Sequence, residues 1–212
     1  MIIIGIVGSP AGGKSTVARH LAELGATWIH ADSIAKSVLD EPQIQQTLVN
    51  YFGAIVADQE GKIDRAKLAK VVFGDDEENR RSLRYLESVV HPATRTQIRY
   101  LIAAAQAAGC QGIALEVPLM FESHWDLVCD EIWCVDASLE RRIEWSRGRN
   151  WTASDLKSRE SNQLPIQTKK QLSNLVIMNN GDLNELREIV SARWTNLIER
   201  AFSQDSRHCE QF

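Results

Sequence analysis

The chain has 212 residues, 44% hydrophobic and 25% charged, with a formal net charge of −4; this excludes disordered and fibrous classes and suits one globular domain with a real core. The acid excess leaves no basic field for a nucleic-acid backbone, so no nucleic-acid partner is expected and an anionic ligand must be gripped locally. The opening MIIIGIV has no basic residue before its apolar run, no run reaches the ~20 residues of a membrane span, and Cys110, Cys129, Cys134 and Cys209 lack CxxC spacing, so the chain reads as cytoplasmic with reduced, mostly buried thiols.

Taken in chain order, Ile2 to Val7 is a short β-branched run of the kind buried in parallel sheets. The glycine-rich stretch GSPAGGKST, residues 8 to 16, follows at once. Val17, Leu21 and Leu24 then recur at helical spacing, and Gly25 offers a stop. From Ile34 to Ala108 the pattern is helical, with breaks expected at Pro42, across Gly53 to Gly61 and at His91-Pro92, where the proline biases its predecessor away from helical angles. Further strands are expected at Thr27–His30, Gly112–Val117, Glu131–Val135 and Leu175–Met178, each set off by helical or loop sequence. Leu183, Leu186, Val190, Trp194 and Leu197 define a terminal amphipathic helix, and Ser203 to Phe212 is polar and expected to fray. The alternation predicts an α/β fold, a three-layer sandwich whose mostly parallel sheet is covered on both faces. The sequence sets no oligomeric state.

Gly8, Gly13, Lys14 and Ser15 satisfy G-x-x-x-x-G-K-[ST] between a strand and a helix. The pattern has a mechanism. Glycines let backbone N–H groups converge on phosphate oxygens, the helix adds its positive end, the lysine spans the β- and γ-phosphates, and the serine can hold Mg²⁺. Gly8, Ala11, Gly12, Gly13, Lys14, Ser15 and Thr16 are thus the expected ATP-binding set, with Ser15 as metal ligand. No N-K-x-D guanine-reading sequence accompanies them.

Such a loop serves kinases, switches and motors alike, so neighbouring residues must narrow the class. Strand two runs into Ala31-Asp32, and a carboxylate there lies where α/β sheets bind ligands. Asp32 can take a proton from a substrate hydroxyl or help hold Mg²⁺; the alternative is an N-cap for a helix beginning near Ser33. Asp136, ending EIWCVD, competes as a metal-facing strand end, though a helix-start role is the preferred reading. Residues 138 to 163 carry Arg141, Arg142, Arg147, Arg149 and Arg159 among acids that could equally pair with them on a solvated helix.

In combination, residues 4 to 39, His91-Pro92, VPLMFES at 117 to 123 and VIMNNG at 176 to 181 resemble the dephospho-coenzyme A kinase family, in order along most of the chain. The resemblance implies a P-loop NTPase-type sheet with an inserted helical acceptor-binding region, about 34–108, and a lid, about 138–163. It implies transfer of the ATP γ-phosphoryl group to the ribose 3′-hydroxyl of dephospho-coenzyme A. By the same resemblance Asp32 is the catalytic carboxylate beside Lys14, with Arg142 and Arg149 as the first lid arginines. His91, Pro118, Leu119, Phe121, Glu122 and Arg159 join Asp32 as acceptor-site residues, and Gln163 and Asn179 also fit family positions. Two places depart from the pattern. His30 stands where the family has an aspartate, and a histidine does not supply the same charge at neutral pH; Ser173-Asn174 replaces Ala-Asp. These departures keep open a kinase of another small acceptor, such as a nucleoside or nucleoside monophosphate, and an ATP-binding switch is the reading from a different class.

Overall fold

The structure, a computed structural model, describes residues 1–74, 76–149 and 151–209. These residues fall into two compact units, one formed by residues 1–30 with the described residues from 102 onward, the other by residues 31–101.

The first unit is built on strands β1 (Ile2–Gly8), β2 (Thr27–His30), β3 (Gly112–Glu116), β4 (Glu131–Asp136) and β5 (Leu175–Met178). They form one sheet in the order β2-β3-β1-β4-β5, and every neighbouring pair is parallel. Because all five strands run the same way, their carboxyl ends share one rim. That rim carries His30, Glu116, Gly8 and Asp136, and β1 lies where the chain order switches sides, the place where open α/β sheets bind ligands.

Alternation along the strands assigns the two faces. Ile4 and Ile6 of β1, Ala114 of β3, Trp133 and Val135 of β4 and Ile177 of β5 share one buried cluster with Val17 and Leu21 of α1 (Lys14–Glu23) and Leu186, Val190 and Trp194 of α9 (Leu183–Cys209). Gly112 admits that packing: a Cβ there would come within 2.6 Å of the Trp194 ring. On the opposite face, a Cβ at Gly5 would meet Cys129 Sγ at 2.8 Å and Met120 Sδ at 2.9 Å, so the chain after β3 closes directly on the sheet. The unit is completed by α6 (Leu139–Ser146), α7 (Ala153–Ser161) and α8 (Ile166–Gln171), the last packed against β1 and β4.

The second unit holds α2 (Ala31–Val38), α3 (Pro42–Phe52), α4 (Arg65–Val72) and most of α5 (Glu77–Ala107). Pro42 opens α3, where a missing N–H costs nothing, and Asp64 caps α4 by accepting the N–H groups of Ala66 and Lys67. Val56, Leu68 and Val72 form its own small core with Phe52, Leu83 and Leu86 against them, and Tyr51 stacks on Tyr85 at 3.4 Å.

Two expectations are corrected. The break at His91-Pro92 does not occur, since α5 continues through Pro92. Val90, Thr94, Ile98 and Ala105 form one buried helical stripe past the exposed proline, so packing outweighs the single lost backbone bond. The polar tail from Ser203 is helical as far as Cys209, and residues 210–212 lie outside the described residues, as does the Cys209 side chain. The break expected across Gly53 to Gly61 carries an isolated antiparallel bridge, Ala57 with Ile63. Cys110, Cys129 and Cys134 are free. Burial, reinforced by Asp126 and Asp130, pushes the Cys129 thiol up to about 12, and burial with Asp136 raises Cys134 to about 11, so both thiols are unreactive. Among the described residues no helix is long and apolar enough to cross a membrane.

Candidate active site

The glycine loop turns between β1 and α1 through three residues in the left-handed region, Gly8, Ala11 and Gly13. Gly8 and Gly13 have no substitute. A Cβ would stand 1.8 Å from the Val135 carbonyl oxygen at Gly8, and 2.3 Å from Asn179 Nδ2 at Gly13. α1 opens at Gly13 without a side-chain cap, which leaves its positive end directed into the loop for an anion. Lys14 folds over the loop, Nζ donating to the carbonyls of Ser9 at 2.9 Å and Gly8 at 3.3 Å.

Glu116, the last residue of β3, is the site residue that the sequence reading passed over. It is 3% exposed. Its Oε1 accepts the Ser15 hydroxyl at 2.8 Å, while its buried Oε2 has no hydrogen-bond partner and lies 3.9 Å from His30 Nε2. A buried carboxylate oxygen left unpaired is costly, and hard oxygen donors meeting at a phosphate loop fit a Mg²⁺ ion. The signal was present as an apolar run ending in acid, GIALE, but the register that sets Glu116 opposite both Ile6 and His30 is a property of the sheet.

Asp136 serves the loop differently. Its carboxylate accepts the Ser9 hydroxyl at 2.6 Å and pairs with Lys170 at 2.7 Å. Burial raises its pKa, but the bonds from Lys170 and Ser9 and the Lys170 charge outweigh that and hold it below the ordinary carboxylate value. The helix-start reading is therefore corrected: the cap of α6 is Ser138, whose Oγ accepts the Arg141 N–H. Asn179 closes the same region, its Nδ2 donating to Gly12 O at 3.1 Å and its N–H to Asp136 O at 2.7 Å.

Beside the loop lies a cleft of about 390 Å³. Ala11, Gly13 and Thr16 form its floor, Arg141, Trp145 and Arg149 one wall, and the turn from Asn179 into α9 the other. The arginine assignment changes accordingly. Arg142, expected at the phosphates, is 8% exposed, donates Nε–H to Ala137 O at 3.1 Å and pairs with Glu160, so it ties α6 to α7. The neighbouring Arg141 faces the cleft instead, one position along a helix being a turn of ~100°. Arg149 also lines the cleft, and Arg159 is exposed with its guanidinium 3.9 Å from the Trp151 ring centre.

The remaining expected residues are distributed as follows. Leu119 is exposed and Phe121 half-buried in the turn after β3, where the Pro118 carbonyl accepts Lys169 Nζ at 3.4 Å. Glu122 accepts the backbone N–H of Leu164 at 2.7 Å, which fastens that turn to the chain leaving α7. In the second unit Asp32 is exposed in the first turn of α2, which begins at Ala31, so it lies inside the helix and is not its cap. His91 is exposed on α5 in that same unit.

A family model described as dephospho-CoA kinase matches residues 2–185. The chain belongs to the dephospho-CoA kinase family. It is 38% identical over 197 residues to the dephospho-CoA kinase of Rhodopirellula baltica, covering 93% of this chain and 91% of that one, and 38% identical over 188 residues to the enzyme of that name from Carboxydothermus hydrogenoformans, covering 88% and 89%. Among solved structures, that of TT1252 from Thermus thermophilus superposes with a TM-score of 0.75 at 31% identity, covering 92% of this chain and 97% of that one. Dephospho-CoA kinase from Campylobacter jejuni, 23% identical, shares the fold with a TM-score of 0.69 over 94% of this chain and 98% of that one. Within this family frame the Ser173-Asn174 departure has a structural role. Asn174 brackets Ile132, its N–H donating to that residue's carbonyl and its Oδ1 accepting the N–H, both at 2.8 Å, and so sets where β5 joins β4; Ser173 Oγ donates to Lys169 O at 2.6 Å at the end of α8.

Proposed function

We infer that the protein is an ATP-dependent kinase that phosphorylates dephospho-coenzyme A, forming coenzyme A and ADP, with the ribose 3′-hydroxyl as acceptor. The observation that carries the reading is the Ser15–Glu116 pair at the mouth of a complete phosphate loop, beside a cleft walled by Arg141, Trp145 and Arg149. Loop N–H groups and the end of α1 hold the ATP phosphates, and the Lys14 ammonium exchanges its loop carbonyls for β- and γ-phosphate oxygens. The cleft takes ATP, with its arginine wall beside the phosphates. Ser15 Oγ and the Glu116 carboxylate hold Mg²⁺, which when bound neutralises charge on the phosphates.

Asp32 accepts the proton of the attacking hydroxyl as its oxygen bonds to the γ-phosphorus and the bond to the β–γ bridging oxygen breaks, leaving ADP. Charge spreads over the transferring oxygens, where Arg141 and Arg149 stabilise it; a fixed guanidinium there is worth ~10³ or more in rate. Residues 138–163 act as the lid that carries them, and residues 31–101, with His91, contribute to the acceptor side. His30 supports the Glu116 carboxylate from the end of β2.

The test is ADP release from Mg-ATP with dephospho-coenzyme A, with AMP, adenosine and uridine in parallel and the product identified by mass. A product of coenzyme A mass from the first acceptor alone is expected. Turnover with a different acceptor, or ATP binding without transfer, overturns the assignment.

A further inference from the structure

Lys169 has no part in the chemistry described above, yet at 2% exposure it is the most deeply buried charged side chain among the described residues. Burying an ammonium costs several kcal/mol unless its donors are used, so its partners show what the burial is for. Nζ donates to Gln163 Oε1 at 2.6 Å and to the Pro118 carbonyl at 3.4 Å. Gln163 lies in the chain leaving α7, two residues beyond Ser161, and Pro118 opens the turn after β3. One residue further, Leu164 N–H is held by Glu122 of that same turn at 2.7 Å.

The base of the tie is fixed independently. Lys170, the next residue of α8, pairs with Asp136 at 2.7 Å, and that carboxylate also holds Ser9 of the phosphate loop. The far end is fixed too, since Glu160 in the last turn of α7 pairs with Arg142 of α6, and α6 and its following turn bear Arg141 and Arg149 at the cleft. A chain of side-chain bonds, joined through the backbone between Lys169 and Lys170 and between Glu160 and Gln163, therefore runs from the phosphate loop through α8 to the helices that carry the cleft arginines. Burial lowers the Lys169 pKa while Glu122, Cys134 and Glu160 oppose that shift, in keeping with an ammonium that is enclosed but still matched by acids.

We propose that Lys169 is a positioning residue for phosphoryl transfer: by joining Gln163 to the Pro118 carbonyl it fixes where residues 138–163 return to the sheet, and so where Arg141 and Arg149 stand over the phosphates. The proposal rests on the kinase reading, in which those arginines act on the transferring group. It needs no direct contact between Lys169 and substrate.

The test compares the enzyme with Lys169→Met, Gln163→Met and the double variant. Methionine fills the volume of the lysine stem, and Gln163 is only half-buried, so its substitution leaves the core intact. Misplacing transition-state groups by an ångström costs up to ~10²-fold; kcat per folded molecule is expected to fall between about tenfold and a hundredfold in either single variant, with KM for ATP within about threefold. Because both changes cut one tie, the double variant should be no slower than the worse single one. Trp145 lines the cleft and Trp151 lies beside Arg149 and Arg159, so the change in tryptophan emission on ATP binding reports the lid without any acceptor and should shrink in both single variants.

Unchanged kcat at an equal folded fraction, additive losses, or an unaltered emission change overturns the proposal. If Lys169→Met does not fold, Gln163→Met decides alone by the same two readouts. The two readings fail separately: a wild-type enzyme inactive on dephospho-coenzyme A refutes the acceptor assignment, while the emission change still tests Lys169.

Discussion

Replacing Asp136 by Asn isolates a bond on which both the phosphate loop and α8 depend. The side chain accepts Ser9 Oγ at 2.6 Å and Lys170 Nζ at 2.7 Å, and the two charged side chains are only 11% and 21% exposed. Asparagine keeps one acceptor for Lys170 and can turn its amide toward the Ser9 hydroxyl, so the geometry survives and the charge is lost. Breaking a fully buried pair costs ~3–5 kcal/mol; the partial exposure of Lys170 and the retained bonds reduce this to about 2 kcal/mol. For a chain of this size that is a fall in Tm of about 4–8 °C. The pH dependence has a definite sign. The folded-state pKa lies below the unfolded one, so the contribution is complete above the unfolded value and is lost as pH falls through the folded one. The wild-type advantage over the variant should be full at pH 7 and begin to close below about pH 5. Differential scanning fluorimetry of both proteins from pH 7 down to 4 measures it, with ATP affinity at pH 7 as a second reading of loop placement. Equal Tm at pH 7, or a gap that widens on acidification, would refute the argument.

Asp32→Asn should lower kcat by ~10²-fold or more with ATP affinity unchanged, because the carboxylate acts on the acceptor proton; single-turnover kinetics beside ATP titration decides this. Glu116→Gln keeps a partner for Ser15 but removes the buried negative charge, so the Mg²⁺ concentration for half-maximal rate should rise about tenfold or more, whereas metal-free ATP binding should hold steady. Arg149→Ala and Arg142→Met should separate by phenotype: the first loses ~10³-fold or more in kcat at unchanged Tm, the second breaks a part-buried pair with Glu160 and lowers Tm first. If Arg142→Met retains full stability while kcat collapses, the assignment of these two arginines is reversed.

Much of this protein follows from local rules. The β-branched run before the glycine loop, the positive backbone angles demanded at Gly8 and Gly13, and the 3.6-residue stripes of α1 and α9 depend on neighbours within a few residues, so the strand, loop and helix around the phosphate site could be read directly. The parallel sheet follows from alternation, and the family motifs point to a kinase. Other features depend on which segments meet. Pro92 has the sequence of a break, but the stripe of Val90, Thr94 and Ile98 carries α5 through it. Arg141 and Arg142 are equivalent in sequence; only the packing of α6 against α7 turns one to Glu160 and the other to the cleft. Glu116 becomes a partner of Ser15 because β3 pairs with β1 in the register that brings the two together, across 101 residues of chain. Lys169 would pass for a surface lysine until the turn after β3 and the return from α7 enclose it. Spacing along the chain determines local conformation, whereas the identity of a charged side chain's partner, and with it the division between structural and chemical roles, is set by tertiary packing.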